Sequence, residues 1–87
     1  MQLIDYLTDP RVRAHVAHEL GISPAYLWQL ATGWHGRKPS TDLCTRIERI
    51  TAGAVTCEEL RPDVPWIRGP KGEPLIDAAS WTRREAA

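Results

Sequence analysis

The segment Ala14–Gly33, AHVAHELGISPAYLWQLATG, constrains this chain more than any other. Apolar side chains fall at Val16, Leu20, Ile22, Leu27 and Leu30. The small Ala17 lies four positions before Gly21, and Ser23-Pro24 follows that glycine. Glycine takes the left-handed conformation that ends a helix without steric cost. Serine caps a new helix, and proline suits its first position. The segment therefore predicts two short helices joined by a tight turn at Gly21. That is the pattern of a helix-turn-helix, whose second helix is offered to a DNA groove.

The rest of the chain is read around this segment. Gln2 to Thr8 predicts a short first helix through Leu3, Ile4 and Leu7. Asp9 caps a second helix over Pro10 to Leu20, with Val12, Val16 and Leu20 on one face. The third helix starts at the Ser23 cap and ends at Gly33, and Leu27 and Leu30 hold it to the core. A short, partly basic loop, Trp34-His35-Gly36-Arg37-Lys38-Pro39, follows. Ser40 or Thr41 caps a fourth helix reaching about Thr51, with Leu43, Ile47 and Ile50 as its buried stripe and Cys44 beside them. Thr56 opens a last turn, Cys57 to Leu60, with Glu59 placed for a capping box. From Pro62 onward four prolines and two glycines within residues 62–74 predict irregular chain, with a weak helical turn over Leu75 to Arg84.

Size and composition exclude several functions. Eighty-seven residues build a modest core but not a core together with a catalytic cleft. The apolar and charged fractions, 43% and 25%, are those of an ordinary globular domain. No apolar run approaches the ~20 residues of a membrane helix. The N-terminus lacks a basic start followed by an apolar stretch, so a cytoplasmic protein is expected. Cys44 and Cys57 are too few and too far apart for a zinc ribbon or a C-x-x-C site, and two free, buried thiols are expected. His15 and His18 have no third or fourth ligand at metal-site spacing, so no metal is expected. No nucleophile, phosphate-cradling glycine loop or paired carboxylates are visible, which points away from an enzyme and from a cofactor.

The predicted third helix carries the candidate base contacts. Its outward residues include Ser23, Ala25, Tyr26, Trp28, Gln29 and Thr32. In the major groove each base pair shows a distinct donor and acceptor pattern, and a glutamine amide matches adenine N6 and N7. Tyr26 and Ser23 reach a phosphate or a base edge, and Ala25 is small enough to meet a thymine methyl. Trp28 has two readings: packing on sugars and methyls of DNA, or folding onto the fourth helix as core. Phosphate contacts require positive charge beside the groove. Arg11 and Arg13 open the second helix, and Arg37 and Lys38 follow the third; these four are the candidates. Net charge is zero, unlike most DNA-binding domains. Its distribution is uneven: residues 1–40 hold four basic against three acidic side chains, and residues 41–60 hold two against four.

From about Gln2 to Trp66 the chain resembles the Cro-like repressors of phages and prophages, particularly the YdaS-like group. The resemblance is carried by LGIS at 20–23, Pro39-Ser40, and RIERITAGAVTCEELRPDVPW at 46–66. It implies an all-helical domain of about five helices that binds operator DNA, often as a dimer, through the helix at Ser23 to Thr32. Two departures stand out. Pro24-Ala25 occupy positions that are usually polar, which shifts readout toward Tyr26, Trp28 and Gln29. The loop after Gly33 is also extended by Trp34-His35-Gly36.

The resulting expectation is an all-α fold: a compact five-helix, Cro-like helix-turn-helix domain over residues 1–63, with an irregular Pro/Gly-rich tail over 64–87. The expected function is regulation of transcription by a homodimer on double-stranded operator DNA. The alternative is an antitoxin-type or protein-interaction module with a protein partner such as a toxin. Zero net charge and the aromatic Tyr26, Trp28 and Trp34 favour that second reading.

Overall fold

The computed structural model describes residues 1–80. In chain order they form α1 (Leu3–Tyr6), α2 (Pro10–Leu20), α3 (Pro24–Thr32), a 3-10 turn (Trp34–Gly36), α4 (Thr41–Ile50), α5 (Cys57–Leu60), β1 (Trp66–Arg68) and β2 (Pro74–Ile76).

Capping side chains set the helix starts, because the first N–H groups of a helix have no partner within it. Asp9 Oδ1 accepts from the Arg11 N–H at 2.8 Å. Ser23 Oγ accepts from Tyr26 at 3.1 Å. Ser40 Oγ accepts from Leu43 at 3.2 Å, so Ser40 is the cap of α4 and Thr41 its first residue. Thr56 Oγ1 accepts from Glu59 at 3.3 Å. The capping box expected at α5 is only half made. Glu59 turns its carboxylate to the Met1 ammonium, 2.8 Å away, and Glu48 Oε1 accepts the Cys57 N–H at 3.0 Å.

Gly21 ends α2 at φ 72°, and the Ile22 N–H closes onto the Ala17 carbonyl at 3.1 Å. The Arg46 guanidinium of α4 donates to the Glu19 and Leu20 carbonyls at 3.4 and 3.3 Å. It thus fills the unpaired carbonyl end of α2 with positive charge, where the helix dipole favours it. These bonds fix α2, the turn and α3 as one unit backed by α4. The core beneath gathers Leu3 and Leu7, then Val16, Ala17 and Leu20 of α2, Leu27 of α3, Ile47 of α4, and Val55. Cys44 and Cys57 are free and fully buried; burial pushes their thiols up to about 11 and about 12, so both stay protonated at neutral pH.

The structure corrects the all-α expectation. Residues 66–68 and Pro74, read as irregular, and Leu75 and Ile76, read in a weak helical turn, form an antiparallel hairpin in which Trp66 faces Ile76, Ile67 faces Leu75 and Arg68 faces Pro74. Ladder bonds run from the Gly69 N–H to the Glu73 carbonyl and from Asp77 to Pro65, both at 2.9 Å. Bonded pairs alternate along an antiparallel ladder, so Pro74 sits where an N–H would point away from its partner strand. The prolines and glycines that argued against regular structure bound the hairpin instead of breaking it. Leu75, expected in a helical turn, lies in β2; residues 78–80 are helical, and 81–84 of that expectation lie outside the described residues. The fold is mostly helical with one small sheet. No helix among the described residues is long and apolar enough to cross a membrane.

The hairpin is fastened by polar contacts. Trp66 Nε1 donates to the Arg61 carbonyl at 3.0 Å. The Arg68 guanidinium meets both Glu48 oxygens, at 2.7 and 2.8 Å, and also pairs with Glu58. Arg61 grips Asp63 with two bonds, at 2.9 and 2.8 Å, and donates to the Pro39 carbonyl at 3.1 Å.

Candidate nucleic-acid interface

The outward face of α3 follows from its periodicity. Leu27 and Leu30 point into the core. Ala25, Gln29 and Thr32, spaced four and three residues apart, share the opposite face. Ala25 and Thr32 are exposed and Gln29 is half-buried. The Thr32 hydroxyl donates back to the Gln29 carbonyl at 3.3 Å. Ser23 sits at the helix start, where its oxygen is occupied as the cap while its own proton remains available to an acceptor.

Tyr26 and Trp28 are two positions apart, about 200° around a helix of 3.6 residues per turn, and so flank that face on opposite sides. Each carries a guanidinium. The Arg13 Cζ lies 4.3 Å from the Trp28 ring centroid. Arg37 lies 5.9 Å from the Tyr26 ring and 5.8 Å from the Trp34 ring. A cation over an aromatic face within about 6 Å is held by the ring quadrupole. The result is a strip of Ala25, Gln29 and Thr32 bracketed by positive charge from α2 on one side and from the loop on the other.

The remaining candidates divide. Of its two readings, Trp28 follows the core one: it is half-buried and packs against the core cluster, and its ring also carries the Arg13 guanidinium. Arg13 is partly committed to the scaffold, since its Nε donates to the Leu7 carbonyl at 3.1 Å. Arg11, Arg37 and Lys38 are exposed, and no ion pair involves them among the described residues. Trp34, 48% exposed, was absent from the predicted contact set although it shares Arg37 with Tyr26. The glycines on either side of Trp34-His35 were the available signal, since they mark a tight turn that throws side chains outward.

Elsewhere several charges are spent on the fold, whereas Arg49 and Lys71 are exposed and enter no ion pair among the described residues. Side-chain hydrogen bonds from Arg68 hold the Glu48 and Glu58 carboxyls below their usual range. Arg61 lowers Asp63 to about 2. Zero net charge therefore conceals two regions of different character.

Comparison with known proteins gives a family. The family model described as "Bacterial toxin YdaS" matches residues 12–68. A protein of Escherichia coli (strain K12) named "Putative transcriptional regulator YdaS" is 45% identical over 51 residues, which cover 59% of this chain and 50% of that relative. The chain thus aligns with about half the length of this curated relative. No solved structure gives a significant match.

Proposed function

We propose that this chain, which belongs to the YdaS family, is a sequence-specific DNA-binding regulator of transcription that lays α3 in the major groove of an operator. The observation that carries the proposal is the bracket of Arg13 and Arg37 on either side of Ala25, Gln29 and Thr32. The major groove is about 12 Å wide and admits one helix, with phosphates along both edges. In the proposed complex Gln29 reads a base edge, Ala25 and Thr32 fill the groove floor, and Arg11, Arg37 and Lys38 meet phosphates. The relative's name as a regulator supports this role. By its resemblance to Cro-like repressors of prophages, the chain acts in the cytoplasm as a homodimer on half-sites one helical turn, ~34 Å, apart.

Selection of bound sequences from random duplex DNA tests the proposal. A recovered palindrome with that half-site spacing is expected. Failure to enrich any sequence contradicts it.

A second reading is favoured by the family's description as a toxin and by the exposed Tyr26 and Trp34: a module whose partner is another protein of a toxin–antitoxin pair. Exposed aromatics are common anchors of protein interfaces. A pure protein-binding module shows no DNA affinity that falls with salt, whereas a regulator does.

A further inference from the structure

The 3-10 turn after α3 is an unusual place for a large aromatic side chain. Gly33 and Gly36 are left-handed at φ 71° and 72°, and between them His35, a residue with a Cβ, is left-handed at φ 54°. Backbone in that region is sparsely populated by such residues and persists where the surroundings hold it. Here the His35 ring lies against Trp34, with centroids 3.7 Å apart. The turn presents Trp34 to solvent, with its ring centroid 5.8 Å from the Arg37 Cζ, and the Tyr26 ring of α3 lies 5.9 Å from the same carbon.

From this geometry we infer that Tyr26 and Trp34 are positioning residues, which brace the Arg37 guanidinium for a phosphate beside the α3 groove. The inference rests on the DNA-binding reading above and extends it to a residue outside the predicted contact set. An arginine has several freely rotating bonds, and ordering it on binding costs affinity. Two ring faces within cation–π reach bias the guanidinium toward this position beforehand, and because the attraction is to the rings rather than to hydrogen-bond acceptors it leaves the N–H groups unpaired for a phosphate. The His35 ring packs against the Trp34 ring beside it. The phosphate contact itself belongs to Arg37.

A double-mutant cycle on DNA affinity tests this. Trp34→Ala is expected to weaken binding about two- to tenfold, the range for ordering one flexible side chain. In an Arg37→Ala background the same substitution is expected to change nothing, since Trp34 acts through Arg37. Trp34→Phe keeps a ring face and restores most of the affinity. In the free protein, the Arg37 side-chain proton resonances should lose the Trp34 part of their ring-current shift in Trp34→Ala and keep the part from Tyr26, while the dispersion of the core resonances stays unchanged. Additive losses in the cycle, or an unshifted Arg37 side chain in the wild type, overturn the brace while DNA binding stands. Absence of DNA binding by the wild type overturns the DNA-binding reading itself, and the brace with it.

Discussion

The two halves of this molecule use arginine in opposite ways. In the C-terminal half Arg46 closes the carbonyl end of α2, Arg61 holds Asp63, and Arg68 ties the hairpin to Glu48 and Glu58. Each of these three is turned inward on partners that keep the fold together, and Arg49, exposed and in no ion pair among the described residues, is the exception. In the N-terminal half Arg11, Arg37 and Lys38 have no carboxylate within ion-pair distance among the described residues. Aromatic rings hold Arg13 and Arg37 beside α3 instead. Electrostatics that stabilise a fold and electrostatics that await a polyanion are thus separated along one short chain, and a zero sum of charge is compatible with a surface suited to DNA.

The separation can be broken from either side. The largest effect is expected at the readout face. Gln29→Ala should lose about 1–3 kcal/mol of specific DNA affinity and relax preference at one base pair, with an unchanged melting temperature. Titration on the selected site and on single-base variants checks this, and unaltered base preference removes Gln29 from the readout.

The mirror-image experiment is Arg68→Ala. Removing charge-assisted bonds to Glu48 and Glu58 should cost about 1–2 kcal/mol of stability, read by denaturant unfolding, and leave DNA affinity unchanged at temperatures where the protein is folded. A loss of affinity without loss of stability would place Arg68 on the DNA side of the division.

Acid sharpens the same contrast. Glu48 and Glu58 are held below their ordinary 4.5, and Asp63 is held at about 2 against an ordinary 3.8. Groups whose folded values are depressed stabilise the fold above their unfolded values, and that contribution is lost as pH falls through the folded ones. Melting temperature should therefore fall progressively as pH drops below about 4.5 towards 2. The fall should be shallower in Glu48→Gln/Glu58→Gln, which starts from a lower melting temperature. An equally steep fall in that variant would trace the acid sensitivity to other groups.

Much of the helical half was legible because its boundary signals are strong and local. Asp9-Pro10, Gly21, Ser23-Pro24 and Gly33 place both ends of α2 and α3 where the structure has them. Each of these residues acts on backbone a few positions away. The hairpin was not legible for the converse reason. Strands of three residues are too short to show alternation, and Pro74 looks like a breaker until its outward register is known. Its fastening depends on Arg68 meeting Glu48 twenty positions away, which no local pattern reveals. The candidate site divides likewise. The outward face of α3 could be read from spacing. The pairing of Arg13 with Trp28, and of Arg37 with Tyr26 and Trp34, required three dimensions.

The most direct test of the division is the salt dependence of DNA binding in two matched variants. One replaces Arg11, Arg37 and Lys38 with alanine, and the other replaces the exposed Arg49 and Lys71. Each phosphate contact contributes about 0.9 to the slope of log affinity against log salt. The first variant should lose up to about 2.7 of that slope and the second should keep it. Equal losses in both, or wild-type binding that salt does not weaken, would contradict the account.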